Sequence, residues 1–108
     1  MFVSEQPVLT EIPKNQVLNV GQQLLLQCEA TGDPSPEITW LHNGTIFQSE
    51  VEIKGQKSIL KLVETKLWSA GTYACLAQNE HGSARAIANV QVNDNRENLA
   101  FQVGPAPT

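Results

Sequence analysis

Four side chains set the strongest limit on how this chain folds. Cys28, Trp40, Tyr73 and Cys75 each fall on the apolar phase of a short segment that alternates apolar and polar residues. Leu24, Leu26, Cys28 and Ala30 share one face of a strand, because side chains of a strand point to opposite faces with period two. Ile38 with Trp40, Ser58 with Leu60 and Leu62, and Tyr73 with Cys75 and Ala77 do the same. Near the end, Ala84, Ala86, Ala88, Val90 and Val92 alternate with more polar positions. No stretch of helical length carries a 3.6-residue stripe. Short strands punctuated by turns point to an all-β sandwich or barrel.

The turn chemistry agrees. Thr31-Gly32-Asp33-Pro34-Ser35-Pro36 reads as neither helix nor central strand, since proline has no amide to donate. Asn43-Gly44 is a strong hairpin signal, as both residues tolerate positive φ. Gly71 and Asn79-Glu80-His81-Gly82 mark further turns. Strands are expected at about 8–12, 16–20, 23–30, 37–42, 45–48, 51–54, 58–63, 72–79 and 83–92. Residues 1–7 read as an N-terminal flank, 8–92 as one domain and 93–108 as a linker or tail. Within that tail Leu99, Phe101 and Val103 alternate, which suits a strand added to an open edge.

Composition removes several classes of function. The 108 residues carry 7 Lys+Arg against 11 Asp+Glu, a net charge of −4, which disfavours nucleic acid and anionic membranes as partners. Hydrophobic residues make up 41% and charged residues 17%, as in ordinary globular domains. The longest aliphatic runs, such as Leu24-Leu25-Leu26, are far too short to span or insert into a membrane. Glu5, Gln6, Pro7, Glu11, Pro13 and Lys14 interrupt the first twenty residues, so they hold no secretion signal; the sequence reads as a domain cut from a longer chain. Two cysteines and two distant histidines do not make a metal site, and no cofactor motif is present. The carboxylates are scattered, and neither His42 nor His81 has a nucleophile or carboxylate partner, so no residue reads as catalytic.

The spacing of Cys28, Trp40 and Tyr73-Ala74-Cys75 resembles that of intermediate-set immunoglobulin domains. Val20-Gly21-Gln22, Gly32-Asp33-Pro34, Pro36, Asn43-Gly44, Leu60, Leu62, Gly71, Ala77, Asn79, Gly82, Val90 and Val92 add to the likeness. The resemblance implies a Greek-key sandwich of two antiparallel sheets, with a core of Trp40, Tyr73, Leu26, Leu60 and Leu62. It implies that Trp40 packs on a Cys28–Cys75 disulfide and that the Tyr73 hydroxyl bonds back to nearby backbone. The residues themselves leave two states open for the cysteines: a pair, or two buried thiols as in intracellular members. Ser69 stands where the family usually has aspartate, and Thr65 where an apolar residue is usual. Trp68 reads either as a cover for the bottom of the sandwich or as a partly exposed turn aromatic.

What remains for function is surface. Alternation puts Leu41, Leu76 and Ile87 on the outer face of the C-F-G sheet, with Thr39, Ala74 and Arg85 around them and Phe47 adding from the next strand. The competing view is a set of separate strand-favouring side chains, or a bulge that reverses the phase of Ile87. Asn43-Gly44-Thr45 is the single glycosylation sequon, and the same residues also serve turn geometry. The resemblance implies a non-enzymatic protein-recognition module, extracellular or at the cell surface. Adhesion molecules, receptor ectodomains and secreted matrix proteins are the expected parents. Its partners would be other immunoglobulin-superfamily or cell-surface proteins, homophilic contact through the C-F-G face included. The alternative is an intracellular structural module of a giant muscle or cytoskeletal protein, cytoplasmic or sarcomeric.

Overall fold

The alternating segments pair into two sheets. The computed structural model describes residues 5–94. One sheet contains β1 (Glu5–Glu11), β3 (Leu24–Asp33), β7 (Lys57–Leu62) and β6 (Val51–Lys54), in that order. The other contains β2 (Gln16–Asn19), β9 (Gly82–Asn93), β8 (Gly71–Asn79), β4 (Glu37–His42) and β5 (Thr45–Ile46). All pairings are antiparallel except β2 with β9. A single turn of 3-10 helix, Leu67–Ser69, links β7 to β8.

The inward phases meet as expected. Leu24, Leu26, Cys28, Trp40, Leu60, Leu62, Tyr73, Cys75, Ala88 and Val90 form one buried cluster. Cys28 and Cys75 are joined as a disulfide, which ties β3 of one sheet to β8 of the other. Trp40 lies directly opposite Cys75 and is completely buried. Its indole Nε1–H donates to Ser58 Oγ at 2.9 Å, so the polar atom that an aromatic of this size carries inward is satisfied.

Strand limits differ from expectation for local reasons. β1 takes in Glu5, Gln6 and Pro7 of the expected flank, where Pro7 is buried and Asn79 Nδ2 donates to the Glu5 carbonyl at 2.7 Å. β3 runs on to Asp33, beyond the expected end at 30, with Thr31 and Asp33 pairing only to β1. β5 stops at Ile46 and not 48, because the Gln48 side-chain oxygen accepts the Trp40 amide at 3.2 Å and replaces a further rung. β9 reaches Asn93, whose carbonyl accepts the Val20 amide at 2.8 Å. The expected strand at Leu99, Phe101 and Val103 lies outside the described residues.

The unusual β7–β8 turn is held by hydrogen bonds. Thr65 is fully buried, its amide donating to Gln22 O at 2.9 Å and its hydroxyl to Asn19 O at 3.2 Å. A hydroxyl is useful at that point because two backbone segments converge there with donors and acceptors to satisfy. Ser69 is buried too, its hydroxyl accepting the Lys66 amide at 2.9 Å. Trp68 is 64% exposed, so it does not close the bottom of the sandwich.

Tyr73 O–H donates to the Ser69 carbonyl at 2.5 Å, and burial pushes its pKa from the ordinary 10.0 up to about 12. The unfolded chain therefore loses this proton near pH 10, while the folded chain keeps it to about pH 12. Stability from this group is complete below about pH 10 and falls as pH rises towards about 12. Tyr73→Phe is expected to cost about 1–2 kcal/mol at neutral pH and to flatten the alkaline fall. Denaturation curves at stepped pH check both effects.

Candidate functional surface

The outer face of the β5-β4-β8-β9 sheet is built by cross-strand register. Leu41 lies opposite Ile46 on one side and Ala74 on the other, and Ala74 lies opposite Ile87. One row of apolar side chains, Ile46–Leu41–Ala74–Ile87, thus crosses four strands. The next row is Thr39–Leu76–Arg85. Ile46 is 66% exposed and Ile87 53%, while Leu41 and Leu76 are half-buried and Ala74 is buried beneath its neighbours. β8 and β9 pair without a register shift, so no bulge reverses Ile87.

Phe47 is not part of this row. It packs against the core and lies tilted at 6.2 Å from the His42 ring. Ile46 takes the outward place instead, because the two-residue Asn43-Gly44 turn sets His42 opposite Thr45 and Leu41 opposite Ile46. The outer face of the other sheet has a different character. Its rows read Glu29–Lys57–Lys54, Gln27–Ile59–Glu52 and Leu25–Lys61, and Lys57 forms an ion pair with Glu11 at 3.1 Å. Charge of both signs keeps that face solvated. The apolar row is therefore confined to one side of the molecule.

The sequon and His42 have structural roles, whereas His81, expected to lack a carboxylate partner, is exposed with its Nε2 3.6 Å from Glu80 Oε2. Asn43 adopts φ 51°, its amide donates to Thr72 O at 2.8 Å, and its Oδ1 accepts the Thr72 amide at 2.9 Å. Gly71, at φ +135°, lies under this carboxamide, and a Cβ there would come within 2.7 Å of Asn43 Nδ2. Asn43 thus joins the β4–β5 hairpin to the start of β8. His42 is half-buried and not solvated, stacked on Tyr73 at 4.3 Å, with its Nε2–H donating to the Ala70 carbonyl at 2.9 Å. That carbonyl can only accept, which assigns the proton to Nε2. His81 sits at the far end of β8, roughly 20 Å away by strand rise, so the two rings cannot share a metal ion.

The immunoglobulin I-set domain family model matches residues 7–92. The chain belongs to the immunoglobulin I-set family. Human hemicentin-1 is 38% identical over 88 residues, covering 82% of this chain and 2% of that protein. Sax-3 of Caenorhabditis elegans is 33% identical over 105 residues, covering 94% of the chain and 8% of that protein. Interference hedgehog of Drosophila erecta is 40% identical over 95 residues, covering 86% and 11%. The I-set chain thus spans only a small part of each of these relatives.

Solved structures agree on the fold. Titin domains Z1Z2 in complex with telethonin superpose with a TM-score of 0.82 at 25% identity, covering 85% of the chain and 49% of the titin chain. A complex of a titin domain with an obscurin-like 1 immunoglobulin domain gives 0.77 at 26%, covering 83% and 96%. As a member of the I-set family the chain is a protein-interaction module, a kind of domain that offers rigid sheet faces and loops to partners.

Proposed function

We propose that this I-set domain recognises another immunoglobulin-superfamily or cell-surface protein through the outer face of β5-β4-β8-β9, self-association included. The observation that carries this reading is the Ile46–Leu41–Ala74–Ile87 row, with Leu76 beside it, which crosses four strands without a charged side chain. A contiguous apolar stripe on a folded domain is stabilised by being covered. Glu37 and Arg85 at its margin form no ion pair among the described residues, and they supply a polar rim of the kind interfaces carry. Two of the similar structures are complexes with another protein, which supports a recognition role for the fold.

The domain belongs, on this reading, to an extracellular or cell-surface protein of the adhesion, receptor or matrix kind. Support comes from the Cys28–Cys75 disulfide, since such bonds persist in oxidising compartments. A glycan on Asn43 would fit the same compartment, attached before the hairpin closes on Thr72 and Gly71. The likeness to titin favours a second reading, an intracellular structural module. A thiol count on unfolded protein from its native source separates the two. Absence of free thiols supports the extracellular reading, and two reactive thiols with no glycan on Asn43 support the other.

Leu41→Glu with Leu76→Glu tests the face. Both side chains point outward, so the variant is expected to fold. Sedimentation of the wild-type chain is expected to show mass rising with concentration. The double variant should weaken the part of that association that runs through this face roughly a hundredfold, because two carboxylates would have to be buried without partners. Unchanged association in a folded double variant would remove the face from consideration.

A further inference from the structure

The open edges of the two sheets end in different ways. β1 carries Pro7 and two register shifts against β3. β5 is two residues long, and β2 is tied towards the other sheet by Gln16 Nε2 donating to Leu25 O at 2.7 Å. Proline, bulges and short strands are the usual guards against edge pairing. β6 has neither proline nor bulge and pairs with β7 in unbroken register over its four residues, its edge charges being one of each sign, Glu52 and Lys54.

Hydrogen-bond parity tells which of its groups are open. Lys61 N–H donates to Glu50 O at 3.0 Å, and hydrogen-bonded pairs alternate along an antiparallel ladder. Glu52 and Lys54 therefore turn their amides towards β7, and Val51 and Ile53 turn theirs to the open edge. Ile53 is 71% exposed and lines a groove of about 280 Å³ between the sheets with Pro36, Ile38 and Gln48. Glu52 and Lys54 lie on the outer face and have no ion-pair partner among the described residues.

We propose that β6 pairs antiparallel with β6 of a second copy of this chain, about a two-fold axis through Ile53. In that register Ile53 meets Ile53 of the copy with reciprocal backbone hydrogen bonds, and Val51 meets Gly55. Gly55 has open space where a Cβ would stand, so the copy can approach. Glu52 faces Lys54 of the copy, twice by symmetry. Neighbouring registers fail: an axis at Glu52 or Lys54 opposes like charges and uses amides already bonded to β7. An axis at Val51 has the right parity but sets Glu50 against Glu52. Pairing at Ile53 joins two four-stranded sheets into one of eight. This surface is separate from the apolar row.

Sedimentation of the 108-residue chain and its charge variants tests the edge. Glu52→Lys and Lys54→Glu are each expected to weaken dimerisation about tenfold, since each turns two attractive contacts repulsive. The double exchange, Glu52→Lys with Lys54→Glu, restores it, and Leu41→Glu with Leu76→Glu leaves it intact. The proposal is overturned if the wild-type chain stays monomeric at millimolar concentration, or if the folded single variants associate like wild type. It is also overturned if the folded double exchange fails to recover, or if all association vanishes in the Leu41/Leu76 variant.

Discussion

Reduction of the Cys28–Cys75 disulfide, or its removal by a double alanine substitution, lowers the unfolding free energy by about 4 kcal/mol. The two cysteines are 47 residues apart, and the entropy regained by an unfolded chain freed of a loop that long accounts for the size of the loss. The bond joins central strands of the two sheets inside the buried cluster, so its loss also releases the contact that holds the sheets face to face. A domain of this size has roughly 5–15 kcal/mol of stability in all, so the reduced form stands near its margin. Denaturant titrations with and without reductant measure the difference. A change below about 1 kcal/mol would mean that packing alone sets the sheet separation.

Trp40→Ala is expected to cost about 4 kcal/mol, the range found when a large buried aromatic leaves a cavity. Two effects combine here. The indole fills the space between the sheets beside Cys75, and its Nε1–H satisfies the buried Ser58 hydroxyl. Trp40→Phe keeps much of the volume and loses the hydrogen bond, so about 2 kcal/mol is expected there. Because Trp40 and Cys75 are neighbours, the Trp40 and disulfide changes should not add; a double-mutant cycle measures the coupling. Thermal melts would show the alanine variant lower by roughly 20 °C.

Much of this fold was legible in the residues because period-two alternation is a local signal. Leu24, Leu26, Cys28, Trp40, Leu60, Leu62, Tyr73 and Cys75 all point inward as the alternation requires. Leu41, Leu76 and Ile87 follow from the same count. Two features were within reach of that count. His42 is two residues past Trp40 and so shares its face. Ile46 lies opposite Leu41 once a two-residue turn is placed at Asn43-Gly44, which sends Phe47 inward.

Other features depend on contacts distant in sequence. Ser58 satisfies Trp40 from eighteen residues away, Thr65 meets Asn19 from forty-six, and Asn79 fastens Glu5 from seventy-four. Strand ends moved for the same reason. A side chain such as Gln48 can replace a rung, or one such as Asn79 can add one, and neither leaves a mark in the local pattern.

Contact through the outer face of β5-β4-β8-β9 is tested most directly by amide chemical shifts. The uniformly labelled chain is followed by dilution from millimolar to micromolar concentration. Shifts are expected to cluster at Leu41, Ala74, Leu76 and Ile87, with the β6 edge moving as a separate group and Leu25 and Gln27 unmoved. Shifts on the charged face around Leu25 and Gln27, with Leu41, Leu76 and Ile87 still, would contradict recognition through the apolar row.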